Sequence, residues 1–165
     1  MVKNQFILLV IIRVNIPYII FRPTWFFESL NFMIRNNKPG IFGKQPHPSS
    51  WIATDDFAKM LVNAYKKEEA INKTLYIHGP EKRTMKDVLL KYAQKLNPDV
   101  KKVASAPFWL MKFIATISGN KDFKMAIELF SYFEKTAEMG NPSEANQLLG
   151  TPETTFETWL HKQNI

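Results

Sequence analysis

The 165-residue chain contains no cysteine, which removes disulfides, thiolate nucleophiles and zinc–thiolate centres from consideration. A reducing, cytoplasmic setting is the expected one. Glycine is scarce, with six in all, and none falls into a Gly-x-Gly-x-x-Gly turn or a P-loop. These residues therefore supply no backbone cradle for a pyrophosphate. His47, His78 and His161 lie far apart, without metal-ligand spacing or a Ser-His-Asp partnership, so no metal site is expected. Long clean apolar runs are lacking too. The nearest, Phe6 to Phe21, is interrupted by Arg13, Asn15 and Pro17 and falls short of the roughly 20 apolar residues of a spanning helix. No small-x-small cleavage site follows it, as a signal peptide would require. A helix, a turn and a strand are the preferred reading, with membrane association through residues 6–21 as the alternative.

What is present is a globular composition. Hydrophobic residues make up 45% of the chain, enough for one domain over residues 1–165 with a core of its own. The net charge of +7 is scattered from Lys3 to Lys162 and forms no basic block, so it reads as solvated faces and no nucleic-acid partner is expected.

Periodicity gives the elements. Lys3 to Val14 reads as a helix and Tyr18 to Phe21 as a short buried strand. Pro23 ends that strand, and Thr24 is placed to cap a helix over Trp25 to Arg35. Short strands are expected at Ile41 to Gly43 and Ser50 to Thr54. Asp55 is the expected cap of a helix whose buried face is Phe57, Met60, Leu61, Ala64 and Tyr65. A strand over Thr74 to Ile77 closes at Gly79-Pro80. Thr84-x-x-Asp87 then opens a helix with Met85, Val88, Leu89, Tyr92 and Leu96 inside. A strand at Lys102 to Ala106, a helix from Pro107, a long helix over Phe123 to Glu138 and two short helices capped by Ser143 and Thr154 complete the chain.

Four segments in order, Arg22-Pro23-Thr24-Trp25-Phe26, Trp51-Ile52-Ala53-Thr54-Asp55-Asp56-Phe57-Ala58, Tyr76-Ile77-His78-Gly79-Pro80-Glu81 and Glu144 to Leu160, resemble the later part of NAD(P)-binding short-chain dehydrogenase/reductases of the atypical, NmrA-like branch. The resemblance implies an α/β fold: the C-terminal portion of a Rossmann-like doubly wound sheet, incomplete here, with a mainly helical substrate-side part. In that family a Gly-rich half comes first, whereas only about sixteen residues precede the Tyr18 strand here. Hence NAD or NADP is the implied cofactor, yet this chain is expected to bind it poorly and to be inactive alone. The partner expected is a missing Rossmann half or a second copy. The alternative is a non-catalytic interaction module derived from the same family.

The resemblance also assigns residues. Lys3, nineteen positions before Arg22, matches the family's catalytic lysine, although the tyrosine four residues earlier has no counterpart. Arg22, Pro23 and Thr24 would meet the nicotinamide end of the cofactor. The other reading makes Arg22 an ion-pair partner of Asp55 or Asp56, with Pro23 merely ending the strand. Trp25 and Phe26 either wall a substrate pocket or belong to the core. His78, at a strand end beside Gly79-Pro80, is the histidine placed near a cleft. Asp55-Asp56 is read as helix-start chemistry rather than an acid–base pair.

Overall fold

A computed structural model describes residues 16–36 and 38–163; the expected first helix, and Lys3 with it, lie outside the described residues. The strands are β1 (Ile19–Pro23), β2 (Ile34–Arg35), β3 (Lys38–Phe42), β4 (Ser49–Trp51), β5 (Lys73–Ile77), β6 (Glu81–Arg83) and β7 (Ala104–Ala106). The helices are α1 (Thr54–Tyr65), α2 (Met85–Leu96), α3 (Phe108–Ser118), α4 (Lys121–Phe133), α5 (Ser143–Leu149) and α6 (Phe156–Lys162). β1 and β5 run parallel, Ile19 opposite Lys73 and Pro23 opposite Ile77. β4 pairs antiparallel with β6, and β3 lies between antiparallel β2 and parallel β7. The architecture is α/β, as expected.

Pro23 remains inside the β1–β5 register as its last residue, and the next amide, Thr24 N–H, donates to Ile77 O at 3.0 Å. Trp25 and Ile52 then continue the pairing: Ile52 N–H donates to Trp25 O and Phe27 N–H to Ile52 O. These bonds hold the backbone extended through Phe26, and the helix expected over Trp25 to Arg35 is instead a 3₁₀ segment, Phe27–Met33. Three residues per turn puts Phe27 and Leu30 on one side, and both are buried.

Two clusters carry the core. In one, Phe27, Trp51, Phe156 and Trp159 stack against one another, with centroids 5.3–6.2 Å apart, over Val88, Leu89 and Tyr92 of α2. In the other, Met60 and Ala64 of α1 meet Leu75 and Ile77 of β5 and Ala145 and Leu149 of α5. Such aromatic pairs contribute about 0.5–1.5 kcal/mol each beyond area burial.

Several sequence expectations need correction. Asp55 does not cap α1, whose cap position is Ala53. Asp56 is buried and accepts from Glu153 N–H and Thr154 N–H at 2.9 and 2.7 Å, pinning the C-terminal segment. Tyr65 is exposed, because the face set by Met60 and Ala64 turns it outward. The last two caps shift by one residue: Thr155 caps α6, and Pro142 holds the α5 position. α4 stops at Phe133, which leaves Glu138 in the irregular segment before α5.

Candidate functional site

Parallel strands present their C-terminal ends to the ligand crevice of an open α/β sheet. Here the ends of β1 and β5 deliver Thr24 and His78 to the same place, beside Ser50 of β4 and Lys82 of β6. Gly79 makes the convergence possible. Its N–H donates to Ser50 O at 3.1 Å, and a Cβ at this position would lie 1.6 Å from Trp51 O. The result is a cleft of about 420 Å³, lined among others by Ser50, His78, Lys82, Gly140 and Asn141.

The carboxylate of Glu138 sits at its floor. Oε1 accepts from the Thr24 hydroxyl at 2.6 Å and from Ser50 N–H at 2.8 Å. Oε2 accepts from the Ser50 hydroxyl at 2.6 Å, with His78 Nδ1 and Lys82 Nζ at 3.7 and 3.8 Å. Burial alone would push this carboxyl up. The Ser50 and Thr24 hydroxyls, Ser50 N–H and the neighbouring His78 together outweigh it and hold Glu138 below its ordinary value. His78 Nε2 faces Met139 O at 3.3 Å.

The segment carrying Glu138 is anchored on both sides. Upstream, Glu134 accepts from Lys44 N–H and Gln45 N–H at 2.9 and 2.7 Å. Downstream, Gly140 lies against the Tyr76 ring with φ +91°, and a Cβ there would come 2.1 Å from the ring. Tyr76 is steadied in turn by Arg22, whose Nη1 donates to the phenol at 3.0 Å and whose guanidinium stands 5.5 Å from the ring centroid. Arg22 thus pairs with Tyr76, not with Asp55 or Asp56.

The structure therefore brings Thr24 and His78 together and sets Arg22 beside them through Tyr76. Trp25 turns away, packing on Trp51, Phe130 and Phe133 at 5.1–5.9 Å. Phe26 packs on Phe57 against the second cluster. Sequence reasoning missed Ser50, Lys82 and Glu138. The Gly140-Asn141-Pro142 turn was the one signal that an irregular segment approaches here. Among the described residues no group of three His, Asp or Glu side chains is placed to hold a metal ion.

These residues do not fit a whole dinucleotide. With Glu138 in place the Thr24 hydroxyl and Ser50 N–H are taken, and Arg22 is bonded to Tyr76. A Gly-rich turn for phosphates is absent from the sequence.

No family model and no curated protein sequence matches the chain. Solved structures do. A nucleoside-diphosphate-sugar epimerase from Staphylococcus aureus superposes with a TM-score of 0.69 at 11% identity, over 96% of this chain and 57% of that one. An isoflavone reductase gives 0.70 at 13%, over 97% and 57%. The triphenylmethane reductase of a Citrobacter species, complexed with NADP(H), gives 0.52 at 16%, over 75% and 44%. The chain thus shares, over about half the length of these structures, the Rossmann-type α/β fold of short-chain dehydrogenase/reductase proteins. At the level of fold the resemblance read from Arg22-Pro23-Thr24 onward holds.

Proposed function

We propose that this chain is the C-terminal, substrate-side portion of an NAD(P)-dependent oxidoreductase of the atypical, NmrA-like kind, acting in the cytoplasm and inactive on these residues alone. The observation that carries the reading is the meeting of the β1 and β5 ends beside one cleft, His78 lining it and Thr24 bonded to Glu138 within it, where open α/β sheets take their ligands. A dinucleotide needs a Gly-rich turn at a helix N-terminus, and the sequence holds none. Cofactor binding then needs a Rossmann half that these residues do not contain. Purified chain incubated with NADH or NADPH and a panel of quinones and carbonyls should oxidise no cofactor above buffer. Steady oxidation would end the claim of inactivity.

A second reading, a non-catalytic interaction module, has its own observation. Trp109, Phe113 and Ile117 of α3 and Met125 and Leu129 of α4 are exposed on one helical hairpin, more apolar surface than scattered single residues explain. Under this reading the chain self-associates whether or not a Rossmann half is added. Under the first, adding that half dissolves the self-association. Sedimentation velocity with and without a supplied half separates the two. No helix among the described residues is long and apolar enough to cross a membrane.

A further inference from the structure

We propose that the donors around Glu138 form a carboxylate-binding site, and that Glu138 is a resident occupant which a carboxylate ligand displaces. The inference stands on the donor geometry, whether or not a dinucleotide ever meets the chain.

Two features point to a ligand site and not merely to a clasp. First, the donors match a planar two-oxygen anion: Thr24 Oγ1 and Ser50 N–H converge on one oxygen, Ser50 Oγ on the other, with the Lys82 ammonium and the His78 ring beside it. Second, they differ from the occupant in origin. Ser50 lies in β4 and Lys82 in β6, while Thr24 and His78 directly follow the paired strands β1 and β5, so the cradle is built on two strand pairs. Glu138 alone arrives from the irregular segment between α4 and α5. Ser50 and His78 are buried, and the cleft opens directly beside them. Leaving such donors without an acceptor is costly, so an acceptor of the same shape must take the place of Glu138 when the segment withdraws. Bound carboxylate and withdrawn Glu138 are then two states of one site. A tethered occupant competes at high effective concentration, so the free ligand binds the intact chain more weakly than it binds an emptied cradle.

The test uses formate and acetate as probes in the full chain, with chloride replacing them at constant ionic strength, and reads the Ser50 and Gly140 amide resonances. In Glu138→Ala, formate should shift Ser50 N–H saturably and raise the melting temperature, and chloride should do neither. Wild type should show the same shift with an apparent Kd at least tenfold weaker, accompanied by a shift at Gly140 as the segment leaves. Ser50→Ala combined with Glu138→Ala should lose the formate response. If Glu138→Ala does not fold in chloride, restoration of its dispersed spectrum by formate supports the site, and failure of that restoration overturns it. A folded Glu138→Ala protein with no saturable response also overturns it, as does one that prefers inorganic phosphate to formate. A wild-type chain silent at formate levels far above those that saturate the variant makes Glu138 a permanent clasp and refutes displacement.

Discussion

The strand-end cleft and the α3–α4 hairpin are built on opposite terms. At the cleft, position is set at atomic scale: Gly79 has no room for a methyl group, Ser50 bonds through both N–H and hydroxyl, and Glu138 gathers donors from Thr24 after β1 and Ser50 of β4. On the hairpin, α4 rests one side on the sheet through Phe123 and Phe130 against Phe42, 5.2–5.7 Å between centroids. Its partner α3 buries only Ala115 deeply and turns Trp109 and Ile117 outward. The difference is between backbone-scale fit, where a single atom too many breaks the arrangement, and apolar surface lying open. Backbone packed as closely as at Gly79 responds steeply to added volume, whereas open faces respond little.

The largest effect is therefore expected at Gly79. A Cβ 1.6 Å from Trp51 O meets backbone, which no rotamer change relieves. Gly79→Ala should cost about 3 kcal/mol or more, read by urea denaturation. Gly119→Ala, at a hairpin position with open space around it but φ +64°, should cost only about 1 kcal/mol from backbone strain. Comparable losses at the two sites would erase the contrast. Beneath β5, Met60→Ala removes a side chain that is 2% exposed and should cost about 2–5 kcal/mol.

Glu138 sharpens the comparison through pH. Its folded carboxyl is held below the ordinary value, so as pH falls the unfolded chain takes up the proton first. The stabilisation is present above the ordinary carboxylate range and is lost as pH drops through the depressed folded value. Glu138→Gln should thus cost about 2 kcal/mol near neutrality, and the gap to wild type should close with acid. Asp56 titrates in the same sense: burial pushes it up, but hydrogen bonds from Thr154, Lys59 and Glu153 bring it down. Asp56 is intact in both proteins, so it leaves the difference between them unchanged. A gap that stays constant down to acid pH would show that Glu138 is not stabilised as a carboxylate.

Much of the scaffold was legible from residues because the signals were local. Gly79-Pro80 ended β5, Thr84 bonded Asp87 N–H as the capping box required, and the apolar spacing of α2 named its buried face except at Leu96, which the last turn leaves exposed. The misread parts depended on distant partners. Thr24 could not cap a helix once its hydroxyl bonded Glu138, 114 positions away. The extended Trp25–Phe27 stretch answered to Ile52, not to its own propensity. Asp56 looked like helix-start chemistry until Glu153 and Thr154 arrived from the far end of the chain. Of the candidate site, the strand-end loop and His78 were readable from turn chemistry, while Ser50 and Glu138 carried no pattern at all.

The smallest expected change in stability lies on the hairpin, and it is informative because it should be small. Trp109 is 71% exposed and Ile117 72%, so Trp109→Lys and Ile117→Lys remove little buried area and add a charge where water already reaches. Each should alter unfolding free energy by no more than about 0.5 kcal/mol. Their effect should fall instead on association: if the open face is what makes copies adhere, two lysines there lower its hydrophobic gain and add mutual repulsion, and the sedimentation coefficient should drop toward the monomer value. A double variant that sediments like wild type would move the adhesive surface elsewhere, with the side of β1 that pairs with no strand among the described residues the next place to look. A double variant that loses several kcal/mol would mean that this face is covered in the folded protein, and the contrast between tightly fitted strand ends and an open hairpin would fail.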